Sequence, residues 1–136
     1  MEIRCRVISR GKARGTVLVS REPLSFFGGV DPKTGVVIEE GHPLRGASLK
    51  DRVLVLPRGK GSTVGSWTLY ELSINGVAPA AIICREADPV IAVGAILARI
   101  PAVDKLELDP LEALRDGLVV EVEAEGKSGK VRLVGG

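Results

Sequence analysis

The apolar residues of this chain fall into short aliphatic runs, each cut off by glycine, proline or charge, and that punctuation constrains the fold more than any other feature. Val53-Leu54-Val55-Leu56 stops at Pro57, Ala80-Ala81-Ile82-Ile83-Cys84 stops at Arg85, and Leu118 to Ala124 is parted from Lys130 to Val134 by Gly126-Lys127-Ser128-Gly129. Runs of this length bounded by turn residues predict strands. Ile3, Cys5 and Val7 alternate with Arg4 and Arg6, the period of a strand buried on one face, with Gly11 as the turn and a second strand over Gly15–Ser20. Val36-Val37-Ile38 and Val53–Leu56 lack alternation and predict strands buried on both faces. Leu118–Ala124 and Lys130–Val134 alternate cleanly around their glycines and predict a hairpin.

The chain has 136 residues, 45% of them hydrophobic, enough for one core and read as a single domain over residues 1–136. With two phenylalanines, one tryptophan and one tyrosine, that core is filled by Val, Ile, Leu and Ala, and stacking platforms for nucleic-acid bases have little to be built from. A net charge of +2 with signs interspersed excludes a polybasic stripe for phosphates or anionic lipid. Charged Glu2 and Arg4 follow Met1 directly, and no apolar run is long enough to span a bilayer, so neither a leader nor a membrane anchor is expected and the cytoplasm is the expected location. Cys5 and Cys84 lie far apart inside strand-like runs and read as buried free thiols. His42 is the single histidine, so no metal site is expected on this chain.

Between the predicted strands lie segments of different character. Pro23 to Gly35 is rich in glycine and proline yet carries Phe26 and Phe27, read as exposed, in a loop that contacts something. Val64, Trp67, Glu71 and Leu72 fall near helical spacing, with Asn75-Gly76 as the stop. Asp88-Pro89 reads as a break, Val90 to Ile100 as strand, short helix or both, and Leu111–Leu114 as a helical turn behind Asp109 and Pro110. Many short strands with little helix predict a β-rich α+β domain, a small β/β/α barrel.

The chemistry concentrates in Arg58-Gly59-Lys60-Gly61-Ser62-Thr63-Val64-Gly65-Ser66, which leaves one strand and enters a helix. Glycines let the backbone take positive φ and bring amides close to a ligand, while the helix start presents its positive end, so anions are welcome there. Glycines at 59, 61 and 65 fit neither the Walker A nor the dinucleotide spacing. Ser62 and Ser66 have two readings. One hydroxyl simply caps the helix, or a serine ringed by amides, a helix dipole and cations is held partly as alkoxide and acts as a base.

The stretch Leu56 to Leu72, with Gly15–Gly35 before it and Asp109–Gly129 after it, resembles the small subunit of the aconitase X family over essentially the whole chain. The resemblance implies a swivelling β/β/α barrel like the mobile fourth domain of aconitases. It implies no cofactor on this chain and a separate large subunit, paired as a heterodimer or larger assembly, that carries a 4Fe-4S cluster. The implied reaction removes water from a phosphorylated hydroxy acid, (R)-5-phosphomevalonate, to give trans-anhydromevalonate 5-phosphate in a modified mevalonate route to isoprenoids. Ser62 takes the family's place of catalytic base, acting on the carbon beside the carboxylate. Gly61, Thr63 and Ser66, supported by Arg58 and Lys60, then frame the substrate's anionic groups, with Ser25, Phe26, Gly28 and Gly29 as wall. Three alternatives stand beside this reading: a hydroxyproline dehydratase small subunit of the same family, a phosphohistidine swivelling domain, for which His42 lacks the usual sequence context, and a non-catalytic binding module in which Ser62 is a cap.

Overall fold

The computed structural model describes residues 1–136. Strands β1 (Glu2–Ser9) and β2 (Gly11–Val19) open the chain, and a short β3 (Leu24–Ser25) precedes the long loop to β4 (Val53–Leu56). A two-residue β5 (Gly59–Lys60) leads into helix α1 (Gly65–Ile74), then β6 (Ala81–Cys84), α2 (Pro89–Ala98), β7 (Ala102–Asp104), α3 (Pro110–Ala113), β8 (Val119–Ala124) and β9 (Gly129–Gly135). Seven strands close a barrel in the order β1-β7-β6-β4-β2-β8-β9, while β3 and β5 pair separately. The predicted β-rich barrel with helical cover is the observed architecture.

The barrel has two walls of different chemistry. In the parallel wall β2-β4-β6-β7, strands β4, β6 and β7 and the Val17–Val19 end of β2 are buried on both faces. Val53 and Val55, with Ala81, Ile83 and Val103, fill the barrel interior, whereas Leu54, Leu56, Ile82 and Cys84 point outward beneath α1 and α2. Parallel strands need crossover connections that lay helices on the sheet, so their sequence loses its alternation and becomes continuously apolar. In the antiparallel wall, β8 buries Val120, Val122 and Ala124 and turns Glu121 and Glu123 to the outside. There Arg132 binds three carboxylates, of Glu2 at 3.1 Å, Glu121 at 3.1 Å and Glu123 at 2.9 Å.

Two expectations are corrected here, and one left open is settled. Val36-Val37-Ile38 forms no strand, only isolated bridges of Val37 to Val30 and Val36 to Ser48, because Gly35 turns the chain at φ +75° and the next turn follows at Gly41. Phe26 is fully buried in the core with Leu24, Val30, Val37 and Leu49, and only Phe27 is exposed. Of the stretch Val90 to Ile100, read as strand, short helix or both, the part to Ala98 is helix: Asp88 caps it by accepting from the Val90 amide, Pro89 stands in its first turn, and Arg99 ends it in the left-handed conformation. Gly94 brings α2 against α1, since a Cβ there meets Leu69 Cδ1 at 2.5 Å and Ser66 Cα at 3.1 Å.

Leu54 is fully buried between the parallel wall and the helices. Leu54→Ala is expected to lower the stability by about 2–5 kcal/mol, read from the midpoint of urea denaturation, whereas Val134→Ala on the exposed end of β9 leaves the midpoint essentially unchanged.

Candidate active site

Because β2, β4 and β6 run parallel, the loops that leave them gather at one end of the barrel. This carboxyl end is where open parallel sheets generally take their ligands. Three segments meet there: residues 20–30 after β2, residues 57–64 after β4, and residues 85–88 after β6. Two devices tie them together. The parallel pairing of β3 with β5 sets Leu24 opposite Gly59 and Ser25 opposite Lys60. Asp88, at the start of α2, accepts from the Gly59 amide at 2.8 Å through Oδ1 and from the Val90 amide at 3.1 Å through Oδ2.

Ser62 sits at the tip of the middle segment, exposed, with its Oγ accepting from the Val64 amide at 3.1 Å. Val64 occupies the N-cap position of α1, which has no side-chain cap. Ser62 therefore rigidifies the turn before the helix without capping it. The amides of Gly65 and Ser66 are consumed by the carbonyls of Ser62 and Thr63, at 2.9 and 3.1 Å. Those of Ser62 and Thr63 take no part in the chain's own hydrogen bonding and remain free at the mouth. Gly61 takes φ +85°, and a Cβ on it stands 2.7 Å from the Ser25 Oγ. Glycine at this position is what lets the serine loop and the Ser25–Gly29 loop touch.

The cations separate into two kinds. Lys60 Nζ lies 2.7 Å from Glu39 Oε2, and Glu39 Oε1 accepts from the Ser25 amide at 2.8 Å. Burial pushes the Glu39 carboxyl up, but the Lys60 ammonium and the Ser25 amide outweigh it and hold the group below the usual glutamate range. Lys60 is thus a brace between the two loops. Arg58 is exposed and has no carboxylate partner; it lines a cleft with Pro57, Arg85, Glu86 and Asp88. Arg85 in that cleft is held by Asp109 through two hydrogen bonds of 2.9 Å.

Of the residues predicted for the site, Gly61, Ser62, Thr63, Arg58, Lys60, Ser25, Gly28 and Gly29 lie on the converging loops. Ser66 and Phe26 present no side chain to the mouth: Ser66 is buried and donates to the Val90 carbonyl at 2.9 Å, joining α1 to α2, and Phe26 anchors its loop in the core. Ser25 Oγ donates to the Phe27 carbonyl at 3.0 Å. Gly29 is required by packing, since a Cβ there collides with the Ser25 carbonyl oxygen. Sequence reading missed Glu39 and Asp88. Asp88-Pro89 carried the N-cap and N1 signature and was legible; Glu39 follows a turn 21 positions from Lys60 and gave no local signal.

His42 is buried, its Nδ1 accepting from the Leu44 amide at 3.0 Å and its Nε2 lying 3.1 Å from the Pro23 carbonyl and 3.3 Å from Ser20 Oγ. Both ring nitrogens are engaged inside the fold, which removes the phosphohistidine alternative. Cys5 and Cys84 are buried in the two separate halves of the core. Burial, and then the nearby Asp104 carboxylate, raises the Cys5 thiol to about 12, and burial above all raises Cys84 as well. Buried thiols of this kind are unreactive. The structure contains no group of three His, Cys, Asp or Glu side chains able to hold a metal ion.

The model of the aconitase X swivel domain matches residues 2–133. This chain belongs to the aconitase X swivel-domain family. The phosphomevalonate dehydratase small subunit of Methanothermobacter thermautotrophicus is 58% identical over 97% of this chain and 99% of its own. The phosphomevalonate dehydratase small subunit of Methanosarcina acetivorans is 54% identical over 98% of this chain and 92% of its own. Among solved structures, the holo-form of aconitase X from Thermococcus kodakaraensis superposes with a TM-score of 0.91 at 46% identity, covering 98% of both chains. No helix of this swivel domain is long and apolar enough to cross a membrane.

The Glu39 brace has a defined pH signature. A carboxyl whose folded pKa is depressed adds stability that is fully present above its ordinary value of 4.5 and is lost as pH falls through the folded pKa. The urea midpoint of the wild-type domain is expected to exceed that of Glu39→Gln by a constant margin above pH 5 that shrinks toward pH 3. A margin independent of pH rules out the charge as its source.

Proposed function

We propose that this swivel domain is the small subunit of a phosphomevalonate dehydratase, and that it brings the proton-accepting serine to a substrate held between two subunits. The observation that carries the reading is the extent of likeness to phosphomevalonate dehydratase small subunits, 58% and 54% identity across nearly full chains, joined to an exposed serine at the carboxyl end of the parallel strands.

On this reading Ser62 Oγ, as alkoxide, takes the proton from the carbon beside the substrate carboxylate. The electron pair of that C–H bond becomes the new double bond, and the hydroxyl on the adjacent carbon leaves with its own bonding pair. When bound, the iron–sulfur cluster expected on the large subunit supplies the Lewis acidity that the departing hydroxyl requires. The surroundings of Ser62 suit this task. Its oxygen already accepts one amide, the free amides of Ser62 and Thr63 flank it, and the start of α1 adds its positive end, all of which favour negative charge once water is excluded. No carboxylate or imidazole of this chain hydrogen-bonds the hydroxyl, so the alkoxide is sustained by electrostatics. Activity therefore depends on closure against the partner, which dries the mouth.

With Lys60 committed to Glu39, Arg58 is the cation of this loop left to meet an anionic group of the substrate. The reaction is tested by assaying anaerobically purified pairs of small and large subunit for dehydration of 5-phosphomevalonate. Ser62→Ala is expected to assemble normally and to lose about 10²–10⁴-fold in kcat; turnover near the wild-type rate returns Ser62 to a purely structural role. Arg58→Ala is expected to raise KM by about tenfold with a smaller change in kcat, as loss of binding shared by ground and transition states does.

A further inference from the structure

The outer face of α1 and α2 is unlike the rest of the surface. Trp67, Tyr70 and Ile74 on α1, with Val93, Ile96 and Leu97 on α2, are all exposed, Ile74 by 66% and Ile96 by 58%. Glu71 is the only charged residue in either helix. The chain's single tryptophan and single tyrosine both lie here, their rings edge to face with centroids 6.1 Å apart. Between the helices runs a groove of about 320 Å³ whose lining includes Thr63, Val64, Trp67, Val93 and Leu97. An apolar patch of this continuity marks a contact surface, and aromatic residues commonly carry the energy of such contacts.

We propose that this face is where the large subunit of the dehydratase seats, with the groove receiving an apolar side chain of that partner; this rests on the functional reading above. Two observations select this occupant. The groove begins at Thr63, directly after Ser62, so a body seated on α1 and α2 overhangs the catalytic mouth and shares one continuous surface with it. The antiparallel wall opposite is covered by ion pairs of the chain with itself, through Arg132, Lys12–Glu123 and Arg14–Glu121, and leaves little for a partner to neutralise. A second copy of this chain would be held as well by the apolar face, but would bring no complementary half of the reaction to the mouth.

The test titrates the purified small chain against the large subunit encoded in the same genome, by calorimetry, using Val93→Glu and Ile96→Glu singly and together, with Val134→Glu on the barrel wall as control. Val93 and Ile96 are half or more exposed, so the variants are expected to keep the wild-type melting curve; Trp67→Ser provides a second, uncharged probe of the same face. The expected result is a Kd at least 100-fold weaker for the double variant, unchanged for the control, with dehydration restored when the small chain is added in excess. A folded double variant that binds within twofold of wild type overturns the proposed surface and leaves the functional reading intact. If the isolated chain sediments as a dimer that Ile96→Glu dissociates while binding to the large subunit is unaltered, the face belongs to a second copy and the proposal falls. Wild-type chain that binds no large subunit overturns both readings.

Discussion

Everything at the functional end of this domain depends on four strands running in parallel. A parallel pair cannot be closed by a tight turn, so the chain must leave each strand at the same end and travel back over the sheet. Here that requirement sets the segments after β2, β4 and β6 side by side and lays α1 and α2 over Leu54, Leu56, Ile82 and Cys84. Burial of the apolar strands and convergence of the loops are therefore one event: the same packing that removes the sheet's outer face from water fixes where the loops emerge.

Convergence alone would leave three independent loops. The polar braces make them one unit, and each uses a half-buried carboxylate. Asp88 spends its two oxygens on two segments, while Glu39 holds Ser25 and Lys60 across the β3–β5 pair. Ordering a loop costs conformational entropy residue by residue, and these bonds, with Phe26 as apolar anchor, recover it before any ligand arrives. The exposed tip at Ser62 thus stands on a rigid base, the arrangement expected of a group that must meet a reacting atom in one geometry.

The legible part of the sequence was the local part. Alternation exposed β1, β8 and β9, continuous apolar runs exposed β4 and β6, and the glycine-rich turn before Trp67 exposed the serine loop. Resemblance to a known family, carried by residues 15–35, 56–72 and 109–129, supplied the fold, and the proposal for Ser62 rests on it where spacing left the residue open. What failed depended on distant partners. Phe26 beside Phe27 in a glycine-rich loop read as exposed, and only the neighbours contributed by Leu24, Val30, Val37 and Leu49 bury it. Val36–Ile38 has strand composition but no neighbouring strand to pair with. Ser66 stands in a motif of apparent ligand donors, yet one helical turn carries its hydroxyl inward to α2. The commitment of Lys60 was invisible for the same reason.

The ion-pair wall built around Arg132 bears on heat. One guanidinium shared among Glu2, Glu121 and Glu123 clamps β9 to both of its neighbours, β1 and β8, along the seam that closes the barrel. The hydration that charges forfeit on pairing becomes less valuable as temperature rises, while aliphatic burial levels off. The seam joining the last strand to the first therefore gains strength relative to the aliphatic core as temperature rises.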